Sequence, residues 1–98
     1  MKYVRAGTEL IAEERQRQID KEGWTEDHDA GHQENEILHA AICYAINADE
    51  PDDTGPHMMW PWEDKWWKPT KGDTVRDLVK SGALIAAEID RRIKWRIK

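Results

Sequence analysis

Apolar residues recur at three- and four-residue steps in three stretches of this chain. No stretch alternates apolar and polar positions for long enough to suggest a strand. The pattern predicts an all-α fold of about three helices, roughly 8–22, 32–47 and 72–95, in a single helical domain over residues 1–98. The first helix is expected to start at Thr8, an N-cap type followed by Glu9 in the first turn, and to stop before Gly23. Its apolar side is poor, because Ile11, Ala12 and Ile19 share it with Arg15 and Gln18. Either those two polar side chains reach a partner or a ligand, or the helix lies half exposed with Arg15 stretched along the surface.

The connection "EGWTEDHDAG" (22–31), with Asp29 as a candidate cap, leads to the second helix. There Ile37, Leu38, Ala41, Ile42, Tyr44 and Ala45 form one broad apolar arc. "NADEPDDTGP" ends that helix, since its two prolines and three aspartates suit turns. The third helix has the clearest pattern. Val75, Leu78, Val79, Gly82, Ile85, Ala86, Ile89 and Ile93 define a stripe expected to face the core, capped by Thr70 or Asp73. On that stripe Gly82 would let another helix come close.

Between the last two helices runs "HMMWPWEDKWWKP" (57–69), with four of the six tryptophans, Trp60, Trp62, Trp66 and Trp67, inside eight positions. Pro61 and Pro69 favour an extended course. Composition gives the rings a reason. Leu, Ile and Val total only 16 of 98 residues and Phe is absent, so three helices need some of the rings to finish a core. Trp60 and Trp62 are assigned to that plug. Trp66 and Trp67, beside Lys65 and Lys68, are assigned to a platform on which a flat ligand stacks. The same thin core points to a homo-oligomer, completed by another copy of the chain.

Charge narrows the partners. A net charge of −5 argues against duplex nucleic acid, which needs clustered Lys and Arg, and the only basic cluster is the short tail "RRIKWRIK". The single cysteine, Cys43, excludes an intrachain disulfide and fits a reducing compartment. No run approaches a membrane span and no apolar signal core is present, so a cytoplasmic protein with no membrane partner is expected.

Two polar stripes carry the candidate chemistry. His32, Glu36, His39 and Cys43 lie at i, i+4, i+7 and i+11 on one side of the second helix, opposite its apolar arc. These types bind metals or handle protons, although a solvated face holding two histidines would look the same. On the third helix Asp77, Ser81, Leu84, Glu88, Arg91 and Trp95 fall away from the main stripe, a side suited to a subunit interface or a ligand wall. Asp77 has a plainer role open to it, pairing locally with Arg76, Lys80 or Ser81.

Carboxylates from the two helices could share a hard cation such as Mg²⁺ with substrate phosphates. Glu36, His39 and Asp77 are the candidate metal ligands, and Glu36 and His39 the candidate catalytic groups. Arg15, Gln18, Trp66, Trp67 and Lys68 are the candidate substrate-binding residues, with a nucleotide or other small phosphate compound as ligand. Glycine-rich phosphate loops, nucleophile elbows and paired cysteines are missing.

"EERQRQIDKEGWTEDHD", "WPWEDKWWKP" and "RDLVKSGALIAAEIDR" resemble a family of small phage and prophage proteins over nearly the whole chain. A second resemblance is to the all-α nucleotide pyrophosphohydrolases of the MazG type, in which E-x-x-E and a later E-x-x-D hold Mg²⁺. That likeness implies Glu36 as the first carboxylate and Asp77 as the last. The chain departs from the motif at His39 and Thr74, where acids are expected. The two likenesses together imply a nucleotide-binding phage protein of the Mg²⁺-dependent nucleoside triphosphate pyrophosphohydrolase kind. The alternative is a non-catalytic interaction protein that blocks a host protein through its acidic surface and aromatic anchors, or that sequesters a nucleotide.

Overall fold

A computed structural model describes residues 5–22, 35–51 and 54–97 of the protein. They form three α-helices, α1 (Gly7–Glu22), α2 (Glu36–Asp49) and α3 (Thr74–Ile97), and a short 3₁₀ turn, Asp64–Trp66. No strand occurs among the described residues, as the all-α pattern predicts. No described helix is long and apolar enough to cross a membrane. The candidate cap Asp29 and the stripe residue His32 lie outside the described residues.

Local chemistry fixes the helix ends. α1 begins one residue before Thr8, with the Ala6 carbonyl accepting the Glu9 and Leu10 N–H groups at 3.0 and 3.1 Å. α2 opens after Asn35, whose φ of 65° lies in the left-handed region that asparagine tolerates. Ahead of α3, Gly72 adopts φ 78° in a turn closed by the Asp73 N–H on the Thr70 carbonyl. Asp73 then caps the helix, its carboxylate accepting the Arg76 N–H at 3.0 Å.

α2 and α3 pack antiparallel. Asn47 at the end of α2 meets Asp77 at the start of α3, the Ser81 hydroxyl donates to the Ala41 carbonyl at 2.7 Å, and Asn35 lies near Arg92. The residues between them include small ones, Ala40, Ala41 and Ala87, which lets the two backbones approach closely around Ile37, Tyr44 and Leu84. α1 crosses α3 at Gly82: a Cβ there would sit 2.6 Å from Ile11 Cδ1. The close approach expected at Gly82 is therefore made by α1 of the same chain.

α3 is turned the other way from the pattern's prediction. Val79 alone of the expected stripe is buried, while Val75, Leu78, Ile85, Ile89 and Ile93 are exposed. Asp77, Ser81, Leu84 and Glu88 face inward instead. The polar side is tolerated inside because each member finds a partner: Asn47 and the Thr70 N–H for Asp77, the Ala41 carbonyl for Ser81, Arg91 and Arg92 for Glu88.

On α1 the inward alternative holds: Arg15 and Gln18 are buried together with Glu14, Ile11 packs on Gly82, and Arg15 is not stretched over the surface. On α2 the buried side is Ile37, Ala40, Ala41, Cys43, Tyr44 and Asn47, rotated from the expected arc so that Cys43 is inside.

Trp60, Trp62 and Trp67 pack against the Ile37–Tyr44–Leu84 core. Tyr44 lies 4.7 Å from Trp67 and 5.7 Å from Trp60 between ring centroids, and Trp60 meets Trp62 edge-on at 5.4 Å. Trp67 thus belongs to the plug and not to the platform. Trp66, 42% exposed, remains outside.

Candidate functional site

Glu14, Arg17 and Gln18 stand at i, i+3 and i+4 on α1, so they share one face. That face meets the first turns of α3, which present Arg76 and Lys80. Tyr44 of α2, and Trp66 and Lys68 of the tryptophan segment, close the remaining walls of a cavity of about 320 Å³. A more open hollow of about 400 Å³ on the outer side of α1 shares Glu14, Arg17 and Arg76 with it. Four cations and one carboxylate therefore border a space with two aromatic walls.

Glu14 organises the cations. Its carboxylate accepts Arg17 Nε at 2.8 Å, Arg17 Nη2 at 2.9 Å, Gln18 Nε2 at 3.1 Å and Arg76 Nη2. Burial alone would raise the Glu14 carboxyl, but the Arg17 hydrogen bonds, the Arg76 and Arg17 charges and the Gln18 amide together hold it below its usual range. Arg76 reaches Glu14 through one nitrogen of a group with five N–H donors. Gln18 Oε1 is a buried acceptor with no hydrogen-bond partner among the described residues. Turning the amide over would lose its bond to Glu14, so the oxygen stays directed away from that carboxylate. An N–H or O–H donor on a ligand would complete it.

Lys80 Nζ donates to the Lys68 carbonyl and, at 3.1 Å, to Thr70 Oγ1, and it lies 5.7 Å from the centre of the Tyr44 ring. Burial, reinforced by Arg76, lowers its pKa below the ordinary lysine value. A bound anion would reverse that shift. Lys65 and Lys68 stand 5.4 and 5.7 Å from the Trp66 ring centre.

Three of the five residues assigned to substrate from sequence, Gln18, Trp66 and Lys68, line this cavity. The other two do not. Arg15 points to Asp90, 3.9 Å away, and Trp67 is in the aromatic plug. The pattern missed Glu14, Arg17, Tyr44, Arg76 and Lys80. Their signal was present as the run "EERQRQ", too polar on every side for a helix that must pack, and as Arg76 and Lys80 four residues apart.

Glu36, His39 and Asp77 are not brought together. Glu36 accepts Trp62 Nε1 at 2.8 Å at the start of α2, whereas Asp77 bonds Asn47, eleven residues further along that helix, a separation of about 16 Å. No group of three His, Cys, Asp or Glu among the described residues is placed to hold a metal ion. Both Asp77 oxygens already accept hydrogen bonds, from Asn47 Nδ2 at 3.0 Å and the Thr70 N–H at 2.8 Å. The expected ligand set does not fit a shared ion within one chain. Cys43 is buried and burial raises its thiol, against a nucleophilic role. No protein-family model, curated protein or solved structure matches the chain.

Proposed function

We propose that this chain binds a nucleotide in the cavity between α1, α3 and the tryptophan segment, in the manner of a small cytoplasmic phage-type protein. One observation carries the reading: Arg17, Lys68, Arg76 and Lys80 border the same cavity as Trp66 and Tyr44. Phosphates lie against the cations, the base stacks on Trp66, and Gln18 Oε1 accepts a hydrogen bond from the ligand. The cavity falls at the small end of ligand sites, which run from roughly 300 to 1,000 Å³. Stacking on one ring contributes about 1–3 kcal/mol.

Binding is better supported than hydrolysis. Any Mg²⁺ would arrive with the phosphates rather than sit in a protein cage, since Glu36, His39 and Asp77 are spread along α2 and its partner helix. The test is a calorimetric titration with the common ribo- and deoxyribonucleotides, with and without Mg²⁺, alongside an assay for released pyrophosphate. Binding that weakens at least tenfold in Arg76→Ala and in Lys80→Ala is the expected outcome. If no nucleotide binds or is turned over, the reading fails. Pyrophosphate release at a rate sensitive to Glu14→Gln would extend it to catalysis.

A further inference from the structure

α3 wears most of its described Val, Leu and Ile side chains on the outside. Of its described side chains, the exposed ones are Thr74, Val75, Leu78, Ile85, Ile89, Arg92 and Ile93, so every exposed position from Val75 to Ile89 is aliphatic. The five aliphatics are 42–53% exposed, while the buried core of the described residues holds only three of comparable kind, Ile37, Val79 and Leu84. With Gly82 among them, these positions step by three or four residues along a seam about 27 Å long. Ile11 of α1 covers the seam at Gly82, and the aliphatics on either side of that crossing face water, a surface suited to another partner.

We infer that the occupant is a second copy of this chain, with α3 packed antiparallel on α3 about a two-fold axis near Gly82. The seam's own symmetry singles out this partner. Gly82 is midway between Val75 and Ile89, so antiparallel overlay sets the apolar segment on itself, Val75 against the partner's Ile89 and Leu78 against the partner's Ala86. The polar ends also match. Arg92, paired with Glu88 of its own chain and 56% exposed on its side chain, falls opposite the partner's Gly72, one residue from the partner's Asp73, and the two helix dipoles oppose. The exposed aliphatics supply a few hundred Å² of apolar centre, with Ile11 of α1 beside it at Gly82, toward the roughly 800 Å² per partner of a stable interface. None of these aliphatics lines the cavity described above, so this pairing stands whether or not a nucleotide binds.

Sedimentation velocity over a wide concentration range should give twice the 11.5 kDa chain mass, and Tm should rise with concentration. Ile89→Glu should return a monomer that keeps its helical circular dichroism. A monomer at every concentration, with a Tm independent of concentration, would overturn the proposal even if Ile89→Glu failed to fold. Orientation is read by cysteine trapping, for which buried Cys43 is a silent background. Val75→Cys mixed with Ile89→Cys should form a disulfide-linked pair, and neither variant should do so alone. Self-linkage of each variant would mean parallel helices and would refute the antiparallel dimer.

Discussion

Asn47 Nδ2 donates to Asp77 Oδ2 at 3.0 Å across the α2–α3 pair, and the other Asp77 oxygen takes the Thr70 N–H at 2.8 Å. One buried carboxylate therefore ties the end of α2, the start of α3 and the segment that carries Lys68. It holds the cavity wall in place. Replacing Asp77 with Ala leaves two donors without their acceptor and should destabilise the fold by about 2–3 kcal/mol, read as a lower urea midpoint. Asp77→Asn keeps part of the bonding and should lose about half as much. A wild-type midpoint in Asp77→Ala would show that the tie contributes nothing.

Glu14 has opposite effects on stability and on binding. Glu14→Gln removes the counter-ion of Arg17 and Arg76, whose side chains are 39% and 29% exposed, so solvent screens part of the loss. The expected cost is about 1–3 kcal/mol, below that of breaking a fully buried pair. The same change removes the one negative charge from a cationic cavity. Affinity for a phosphate ligand should rise as stability falls, and parallel melting and titration curves would reveal both.

The helices were legible in the sequence because helical periodicity survives any orientation. Which side faces inward was not. The stripe Val75–Leu78–Ile85–Ile89 has the strongest periodicity yet lies exposed, because periodicity marks an apolar side of a helix without saying whether the chain's own core covers it. The inner side of α3 could not be recognised either, since Asp77, Ser81 and Glu88 are acceptable inside only because distant residues bond them. The tryptophan segment was half legible. Core arithmetic called for ring filler, but adjacency hid that Trp66 and Trp67 point to different places.

Adjacent tryptophans should separate binding from folding. Trp67→Ala removes a ring packed on Tyr44 and Trp60 and should cost about 3–5 kcal/mol. Trp66→Ala, at a 42% exposed ring, should change the unfolding free energy by no more than about 0.5 kcal/mol. Its effect should be on the ligand dissociation constant. Equal losses of stability in both variants would contradict the division of the segment.

Acid should unfold the protein through two carboxylates. Arg91, then Arg92, hold Glu88 below its usual range, and Glu14 is held below it as well. Groups with depressed folded pKa values stabilise above the unfolded value, about 4.3, and lose that contribution as pH falls through the folded values. Tm should be flat near neutrality and fall below about pH 4.3. Glu88→Gln should start lower and fall less steeply.

The contact at Gly82 sets up a size-compensation test. Gly82→Ala gains helix propensity of about 1 kcal/mol but drives a methyl into Ile11 Cδ1 and Cγ1, 2.6 and 2.9 Å from the new atom. A net loss of about 1 kcal/mol is expected. Adding Ile11→Ala should recover part of it, so the double variant is more stable than the two single effects sum to.

Tyr44 belongs to two structures at once. Its ring lies on Trp67 and against the edge of Trp60, its hydroxyl oxygen accepts the Lys68 N–H at 3.1 Å, and it also walls the cavity below Lys80. Rings this close mix their electronic transitions. A ligand that tilts Tyr44 would therefore change the near-ultraviolet circular dichroism of the whole aromatic cluster, including rings it never touches, and the protein carries its own optical gauge of occupancy.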